Sequence, residues 1–216
     1  MADQLVPTTR TTPTMTQYAH ALLLQWEDCT KAAAAVLWAQ FALETGAGAY
    51  CWCWNLGNVK HVKGDGFDYM ALKGVWEIIN GKRVELAPTD PGSWFRVYPD
   101  LDTAMAQHFA FLKKHYAAGW DAVVAGDVPA FAHALRVRGY YTASEASYAA
   151  GMQGHFNNFM KATAFENAQA AIEAEHPQAP PPTDDEPIVI IHPHIDFEPL
   201  VYCWDDTDTD KPPAIC

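Results

Sequence analysis

The apolar residues of this chain follow a helical spacing over most of its length. They recur three and four positions apart, as on one face of an α-helix. This pattern predicts five helices, at residues 15–26, 30–44, 101–116, 128–138 and from 142 towards 175. The last of them opens with Thr-Ala-Ser-Glu, which has the form of a capping box.

One short region departs from the helical spacing and indicates a β-hairpin. The dipeptide Asn-Gly at 80–81 lies between two β-prone runs, which is the signature of a two-residue type I′ turn. This turn pairs Ile79 with Lys82 and Glu77 with Val84. Glu77 is therefore an acidic residue in a mostly apolar row. The sequence as a whole predicts a mainly α protein of the α+β class with a small hairpin lobe.

The first candidate for chemistry is Glu44, which ends the uncharged run 32–43. Gly46 is a natural helix stop, so we expect Glu44 in the last turn of a largely buried helix. The helix dipole and apolar surroundings both disfavour ionisation there. A carboxylic acid that stays protonated near neutral pH suits a general acid. The alternative, which position alone favours, is a solvated glutamate near a helix end.

The net charge of −12 is concentrated towards the C-terminus. Residues 1–165 carry 13 Lys+Arg against 14 Asp+Glu, whereas residues 166–216 carry 1 against 12. The folded part is nearly neutral, and the basic stripe of a nucleic-acid-binding protein is missing from it. We therefore expect no nucleic-acid partner.

Sequence features argue against membrane insertion and against a signal peptide. The run 32–43 is too short to span a bilayer, and the first residues are polar and Thr/Pro-rich. We expect the protein to reach its target by another route.

The histidines and cysteines predict neither a metal nor a cofactor. The number of cysteines, five, is odd, so they cannot all pair within the chain. Cys51-Trp-Cys53 is too closely spaced for a zinc knuckle. We therefore expect free thiols, and a disulfide between the tail and the body is left open as an alternative. His192 and His194 with Asp196 outline a metal site, but we interpret them as surface residues. His108 and His115 are interpreted as ordinary residues of a helix surface.

Composition divides the chain into four parts. Residues 1–14 are interpreted as a flexible arm, and residues 15–165 as one catalytic domain whose β lobe covers about 64–98. Residues 166–187 contain a helix end and an acidic Pro-rich linker. Residues 188–216 form an acidic tail with short apolar patches. We expect the region 187–216 to dock on the body or on a protein partner.

Five segments occur in the order known from one enzyme family. They are Ala-Leu-Glu-Thr-Gly-Ala-Gly at 42–48, Asn-Leu-Gly-Asn-Val-Lys at 55–60, Trp-Glu-Ile-Ile-Asn-Gly at 76–81, Phe-Arg-Val-Tyr at 95–98, and Gly-Tyr-Tyr-Thr at 139–142 with Tyr148 downstream. Together they resemble the bacterial and phage glucosaminidases, glycoside hydrolase family 73, within the lysozyme-like superfamily. The resemblance covers roughly residues 15–160.

The resemblance implies a lysozyme-like helical fold with a small β-hairpin lobe. It also implies hydrolysis of the β-1,4 bond after N-acetylglucosamine in peptidoglycan. By this resemblance Glu44 is the general acid, Glu77 the second carboxylate and Tyr140 a cleft tyrosine with a catalytic role. Glu77 has the alternative of offsetting Lys82 or Arg83 across the strands, and Tyr140 has the alternative of core packing.

Further residues are candidates for binding the glycan. Ala47 stands where the family has tryptophan, so other aromatic residues are expected to build the cleft wall. The candidates are Trp52, Trp54, Asn55, Asn58, Trp76, Tyr141 and Tyr148. The three tryptophans are equally compatible with core packing.

Three functions follow as hypotheses. The first is a peptidoglycan N-acetylglucosaminidase that acts on the cell wall as a phage lysin, a virion or injection-device component, or a delivered effector; an endolysin that leaves through a holin pore fits as well. The second is a muramidase or lytic transglycosylase. The third is a non-catalytic module that binds peptidoglycan or serves as a structural part.

Overall fold

Seven helices and four short strands make up the part of the chain described by the computed structural model, residues 3–79, 82–141 and 143–175. The helices are α1 Met15–Leu23, α2 Lys31–Thr45, α3 Leu101–His115, α4 Trp120–Ala125, α5 Val128–Val137, α6 Glu145–Lys161 and α7 Ala164–Glu175. The strands are β1 Tyr69–Ala71, β2 Trp76–Ile79, β3 Lys82–Glu85 and β4 Trp94–Arg96. The expected mainly α architecture with a small β lobe is confirmed.

Helix α2 is the centre of the hydrophobic core. Its alanine-rich sequence favours a helix, and the Thr30 side chain caps it by accepting a hydrogen bond from the backbone N–H of Ala33. Gly46 ends it in the left-handed conformation with φ 56°. Every residue from 33 to 42 is buried, with α6 and α4 packed against it and α1 nearby. The end of α2 is thus held rigidly by the core.

The last predicted helix is two helices in the structure. Helix α6 begins after Ser144, whose side chain accepts a hydrogen bond from the N–H of Ser147. The predicted cap, Thr142, lies outside the described residues. Helix α6 ends at Ala162, where the backbone is extended, and α7 then turns back to pack on α1. The prediction of one continuous helix is therefore wrong, because packing on α1 favours a break that the helical spacing does not reveal.

The β lobe consists of two antiparallel pairs. Strand β1 pairs with β4, and β2 pairs with β3. The predicted hairpin register is confirmed, since Ile79 pairs with Lys82 and Glu77 with Val84. The Asn-Gly turn at 80–81 lies outside the described residues. A second, smaller core stabilises the lobe and is formed by Cys53, Met70, Val75, Leu86 and Phe95.

The N-terminal arm, residues 3–12, lies against the β lobe and the loop after α2, which differs from the flexible arm expected over 1–14. Val6 N–H donates to the carbonyl of Tyr69 over 2.9 Å, and Cys53 N–H donates to the carbonyl of Thr9 over 2.8 Å. Thr11 Oγ1 accepts a 2.8 Å hydrogen bond from the N–H of Trp54. A Thr/Pro-rich sequence does not bury enough to fold alone, but it satisfies backbone groups of a neighbouring loop.

Three of the five cysteines lie in the described part, and all three are free and buried: Cys29, Cys51 and Cys53. This confirms the expected free thiols at these positions. The tail with its remaining cysteines, the histidine pair near 192–194 and the proposed docking segment 187–216 lie outside the described residues. No helix of residues 3–175 is both long and apolar enough to cross a bilayer.

Candidate active site

An open groove with about 650 Å³ of empty space lies between the end of α2 and the β lobe. Its wall combines one carboxylic acid with aromatic and apolar side chains. The residues that line it are Glu44, Tyr50, Trp52, Asn58, Leu72, Gly74, Val75, Trp76 and Phe95. Aromatic faces next to a single acid suit a ligand with both apolar and hydroxyl-bearing faces, such as a sugar chain.

Glu44 is half-buried at the edge of this groove, in the last turn of α2. Its Oε1 accepts a 2.6 Å hydrogen bond from the hydroxyl of Tyr148 on α6. Burial raises the pKa of the Glu44 carboxyl, and the hydrogen bond from Tyr148 opposes that rise. The negative end of α2 also disfavours the ionised form. The carboxyl thus has the environment expected of a proton donor near neutral pH.

Tyr148 is held in place by a second tyrosine. Its ring stacks on that of Tyr141, with centroids 3.6 Å apart and planes 4° from parallel. The Tyr141 hydroxyl donates to the carbonyl of Ala132 over 2.9 Å. Both tyrosines are nearly buried, so the structure makes Tyr148 a direct partner of Glu44 and Tyr141 its support. A sugar contact for either side chain remains a prediction.

Tyr140 lies behind the groove and does not line it. It is 1% exposed, and its hydroxyl accepts a 2.5 Å hydrogen bond from Nε2 of Gln40. Its ring meets that of Tyr116 edge-on. The core-packing alternative describes this position, and the catalytic role of Tyr140 remains a prediction. Sequence alone could not separate Tyr140 from its neighbour Tyr141.

Glu77 on β2 lies beside Lys60. Its Oε1 lies 3.4 Å from Nζ of Lys60, which also lies 4.3 Å from the centre of the Phe95 ring. A Cβ added at Gly92 would lie 3.8 Å from Glu77 Oε1, which places the carboxylate beside the Gly92 backbone. Lys60 is thus one cation that offsets the charge of Glu77. The predicted catalytic role of Glu77 is not tested by this arrangement.

The other candidates divide into groove residues and supporting residues. Trp52, Asn58 and Trp76 line the groove, and Trp76 is 39% exposed. Trp54 packs against the helical core instead. Asn55 is buried and closes its own loop, since its Nδ2 donates to the carbonyls of Val59 and Arg96 and its Oδ1 accepts from Val59 N–H. These bonds give the Asn55 amide a structural role in its loop, and a substrate contact remains a prediction.

The sequence prediction missed Tyr50, which lines the groove and is 67% exposed. The feature that could have indicated Tyr50 is its place as a large aromatic residue just after a left-handed turn. In that turn Gly46 and Ala47 both have positive φ. An irregular Gly-rich loop gives no periodicity to indicate which aromatic faces outward.

One group of possible metal ligands lies on the far side of the lobe. The ligand atoms of Asp3, His61 and Asp65 lie within 4.8 Å of one another. The two carboxylates contact opposite nitrogens of His61, at 3.1 and 3.3 Å, and Arg96 pairs with Asp65 at 2.8 Å. One ion cannot take both ring nitrogens, and the guanidinium already neutralises one carboxylate. We interpret the cluster as a polar contact that joins the arm to the lobe.

Comparisons with known proteins give one similar structure. The crystal structure of a peptidoglycan hydrolase mutant from Sphingomonas sp. A1 is 26% identical, and the match spans 70% of this chain and 99% of that chain with a TM-score of 0.44. No family model matches the sequence, and no curated protein matches it. A TM-score of this size does not support transfer of residue roles, so the groove's own geometry carries the functional argument.

Proposed function

We propose that this protein is a peptidoglycan hydrolase, a glycosidase in which Glu44 is the general acid. The observation that carries the proposal is the half-buried Glu44 carboxyl, held by Tyr148 at the edge of an aromatic groove. The motif order that resembles the glucosaminidases supports the same assignment. The bond we propose is the β-1,4 linkage after N-acetylglucosamine.

The chemistry follows from the position of Glu44. In its protonated form it donates its proton to the glycosidic oxygen as the C1–O bond breaks, and the leaving sugar departs as an alcohol. The resulting carboxylate accepts a charge-assisted hydrogen bond from the Tyr148 hydroxyl, which stabilises the charge that the reaction creates. Water then supplies the hydroxyl at C1 and returns a proton to Glu44.

Two groups are candidates for the second half of the reaction. Glu77 would activate water or stabilise the oxocarbenium ion after a movement of the hairpin lobe towards the groove. The 2-acetamido group of the substrate would instead attack C1 itself, which leaves Glu77 an orienting role. A Glu77→Gln variant separates the two mechanisms. The variant should lose nearly all turnover if Glu77 activates water, and should retain most of it if the acetamido group attacks C1.

One observation favours a second candidate function. Among the groove-lining residues of the described chain, Glu44 is the one carboxylate. A lytic transglycosylase needs a single acid and forms an anhydro product by attack of the sugar's own hydroxyl. The reducing ends of the products decide: N-acetylglucosamine supports a glucosaminidase, N-acetylmuramic acid a muramidase, and its anhydro form a transglycosylase.

The test of catalysis is clearing of purified cell walls followed by product analysis. We expect Glu44→Gln to abolish clearing. The matched control is Glu166→Gln, because Glu166 is an exposed carboxylate paired with Lys31 at 2.7 Å, far from the groove. Unchanged clearing by Glu44→Gln would refute the assignment. Wall binding by the wild type without any released sugar would point to a non-catalytic module.

Delivery to the wall is part of the same proposal. We propose a phage lysin, a virion or injection-device component, or a delivered effector. Clearing from outside intact cells supports a virion component or effector. Clearing that requires co-expression of a holin supports an endolysin.

A further inference from the structure

A second cavity, with about 440 Å³ of empty space, lies beside the C-terminal half of α3. This volume is within the range of cavities that bind ligands. No carboxylate is among the lining residues of the chain between 3–79, 82–141 and 143–175. The lining combines an apolar part with a basic part, formed respectively by Val59, Tyr98 and Phe111 and by Arg96, Lys114 and His115.

The end of α3 beside this cavity is positively charged. Arg138 Nε donates to the carbonyl of His115 over 3.2 Å, which brings a second cation next to Lys114. Burial lowers the pKa of His115, and the charges of Lys114 and Arg138 lower it further. Arg96 is offset by Asp65 at 2.8 Å. The cavity therefore presents apolar surface next to basic groups, which suits a ligand that carries an aromatic ring and a carboxylate.

One layer of chain separates this cavity from the groove that contains Glu44. Asn58 lines the groove, and its neighbour Val59 lines the cavity. Phe95 lines the groove, and its neighbour Arg96 lines the cavity. The two segments are joined, since the Arg96 N–H donates to the carbonyl of Val59 over 3.0 Å. A ligand in the cavity thus contacts the two segments that form part of the groove wall.

The C-terminal part of the chain, which lies outside the described residues, has the complementary composition. Residues 200–206 are Leu-Val-Tyr-Cys-Trp-Asp-Asp, so two carboxylates directly follow an aromatic and apolar run. Trp204 is the one tryptophan after residue 120. A tryptophan offers the largest apolar surface for a single pocket, and such residues often anchor an interface. The acidic run at 184–186 has no aromatic residue beside it.

The length of the chain allows this segment to reach the cavity. Helix α7 ends at Glu175, and the 28 residues 176–203 precede Trp204. Even as a polyproline helix these residues span about 90 Å. A folded body of this size has a radius of gyration of about 16 Å. A tethered segment also has an effective concentration on the order of millimolar, so a weak contact is enough to populate the bound state.

We propose that residues 200–206 of this chain bind in this cavity. The indole of Trp204 packs against the apolar side chains, and the two aspartates that follow it face Lys114. The bound segment supports the groove wall from behind. The inference does not depend on the proposed hydrolysis, because neither the cavity nor the segment includes Glu44.

The experiment measures the position of the segment in the full-length protein by paramagnetic NMR. A nitroxide is attached to one new cysteine, Thr207→Cys, in a chain that also carries Cys203→Ser and Cys216→Ser. The three remaining cysteines are buried, so they do not compete for the label. We expect the strongest broadening of backbone amide signals at residues 107–115.

The first set of variants changes only the segment, so the fold of the body is not disturbed. Trp204→Ala should lower the docking equilibrium constant about tenfold, because it removes the anchor. The pair Asp205→Asn and Asp206→Asn should lower it about fivefold. The matched control is the pair Asp184→Asn and Asp185→Asn, which removes the same charge from the linker and should leave the broadening unchanged. An equal loss in both pairs would mean that net charge, and not this segment, is responsible.

The second set exchanges charge between the body and the segment. Lys114→Glu should lower the docking constant about fivefold, and Asp205→Lys in the same chain should restore it. The control is Lys161→Glu, because Lys161 is an exposed lysine on α6. Restoration by the second change is a result that damage to the body alone would not produce.

Two outcomes would overturn the inference. The first is the absence of broadening at residues 107–115, or broadening there that neither Trp204→Ala nor Lys114→Glu reduces. The second is broadening that arises between molecules, detected by mixing spin-labelled chains without isotope with ¹⁵N-labelled chains without the nitroxide. That result would assign the cavity to a second copy of the chain.

Discussion

The hydroxyl of Tyr148 donates a 2.6 Å hydrogen bond to Oε1 of Glu44, although the two residues lie 104 positions apart in the chain. The bond joins the last turn of α2 to the first turn of α6, and these two helices pack closely against each other in the core. The geometry of the acid is therefore set by the packing of two helices and not by the loops of the groove wall.

Tyr148→Phe should raise the pKa of Glu44 and slow turnover. The substitution removes the donor that opposes the effect of burial. We expect the alkaline limb of kcat/KM to move up by about one pH unit, with a loss of roughly tenfold at the optimum. Tyr141→Phe is the control, because that hydroxyl contacts a backbone carbonyl and not Glu44. Equal pH profiles for both variants would contradict the role of Tyr148.

Glu44→Gln should make the protein more stable at neutral pH. The pKa of Glu44 is raised in the folded state, so its contribution is favourable at acid pH and is lost as pH rises through that raised pKa. Glutamine avoids the buried charge and still accepts from Tyr148. We expect a Tm higher by a few degrees above neutral pH and no difference near pH 4, measured by thermal unfolding. A lower Tm at every pH would contradict this account.

His108 should make the protein sensitive to acid. Contrary to the expected surface position, it is 3% exposed, and burial lowers its pKa from 6.5 to about 4. A depressed histidine pKa gives stability that is present above pH 6.5 and is lost as pH falls through 4. The loss is about 3 kcal/mol.

The matched variants for this effect are His108→Leu and His133→Leu, since His133 is exposed on α5. We expect a flatter curve of unfolding free energy against pH for His108→Leu only. Both curves should be measured between pH 4 and 7. If the wild type and His108→Leu lose stability in parallel, another group causes the acid sensitivity.

Thr11→Val should weaken substrate binding from a position on the N-terminal arm. The hydroxyl accepts from Trp54 N–H, and its loss leaves that donor unsatisfied in a loop that includes Trp52 of the groove wall. We expect KM to rise several-fold with a smaller change in kcat. Thr8→Val on the same arm is the control, because Thr8 is exposed. A rise in KM for both variants would indicate a general effect of the arm.

Tyr50→Ala should raise KM roughly fivefold, whereas Tyr50→Phe should leave it unchanged. Tyr50 is the most exposed aromatic residue in the groove wall among those assigned an exposure. A sugar ring stacks on the face of the ring and does not need the hydroxyl. The measurement is steady-state kinetics on solubilised glycan. Equal losses in both variants would mean that the hydroxyl, and not the ring, contacts the substrate.

Local sequence rules predict the parts of this protein that local physics determines. The Asn-Gly dipeptide fixes the hairpin register, and the uncharged run with Gly46 fixes the position of Glu44 at the end of α2. Both depend on backbone preferences within a few residues. The acid's location in a groove was therefore accessible before the fold was known.

Other parts depend on contacts between distant segments. Tyr140 and Tyr141 are adjacent and chemically alike, yet one is bound to Gln40 in the core and the other stacks on Tyr148. Asn55 has an amide side chain of the kind that binds sugars, but this amide forms hydrogen bonds with backbone groups of its own loop. The packing of the helices and the geometry of the turns decide between such roles. The spacing of apolar residues along the sequence carries information about neither of them.

The N-terminal arm gives the protein an order of assembly during synthesis. Residues 3–12 leave the ribosome before any of their partners, which lie between residues 48 and 69. The arm therefore takes its place only after residues 48–69 have been made. Tyr148 emerges later still, when most of the described chain has already been made. A partly synthesised chain therefore contains Glu44 without the hydroxyl that bonds it, and the site is complete only after residue 148 has been made.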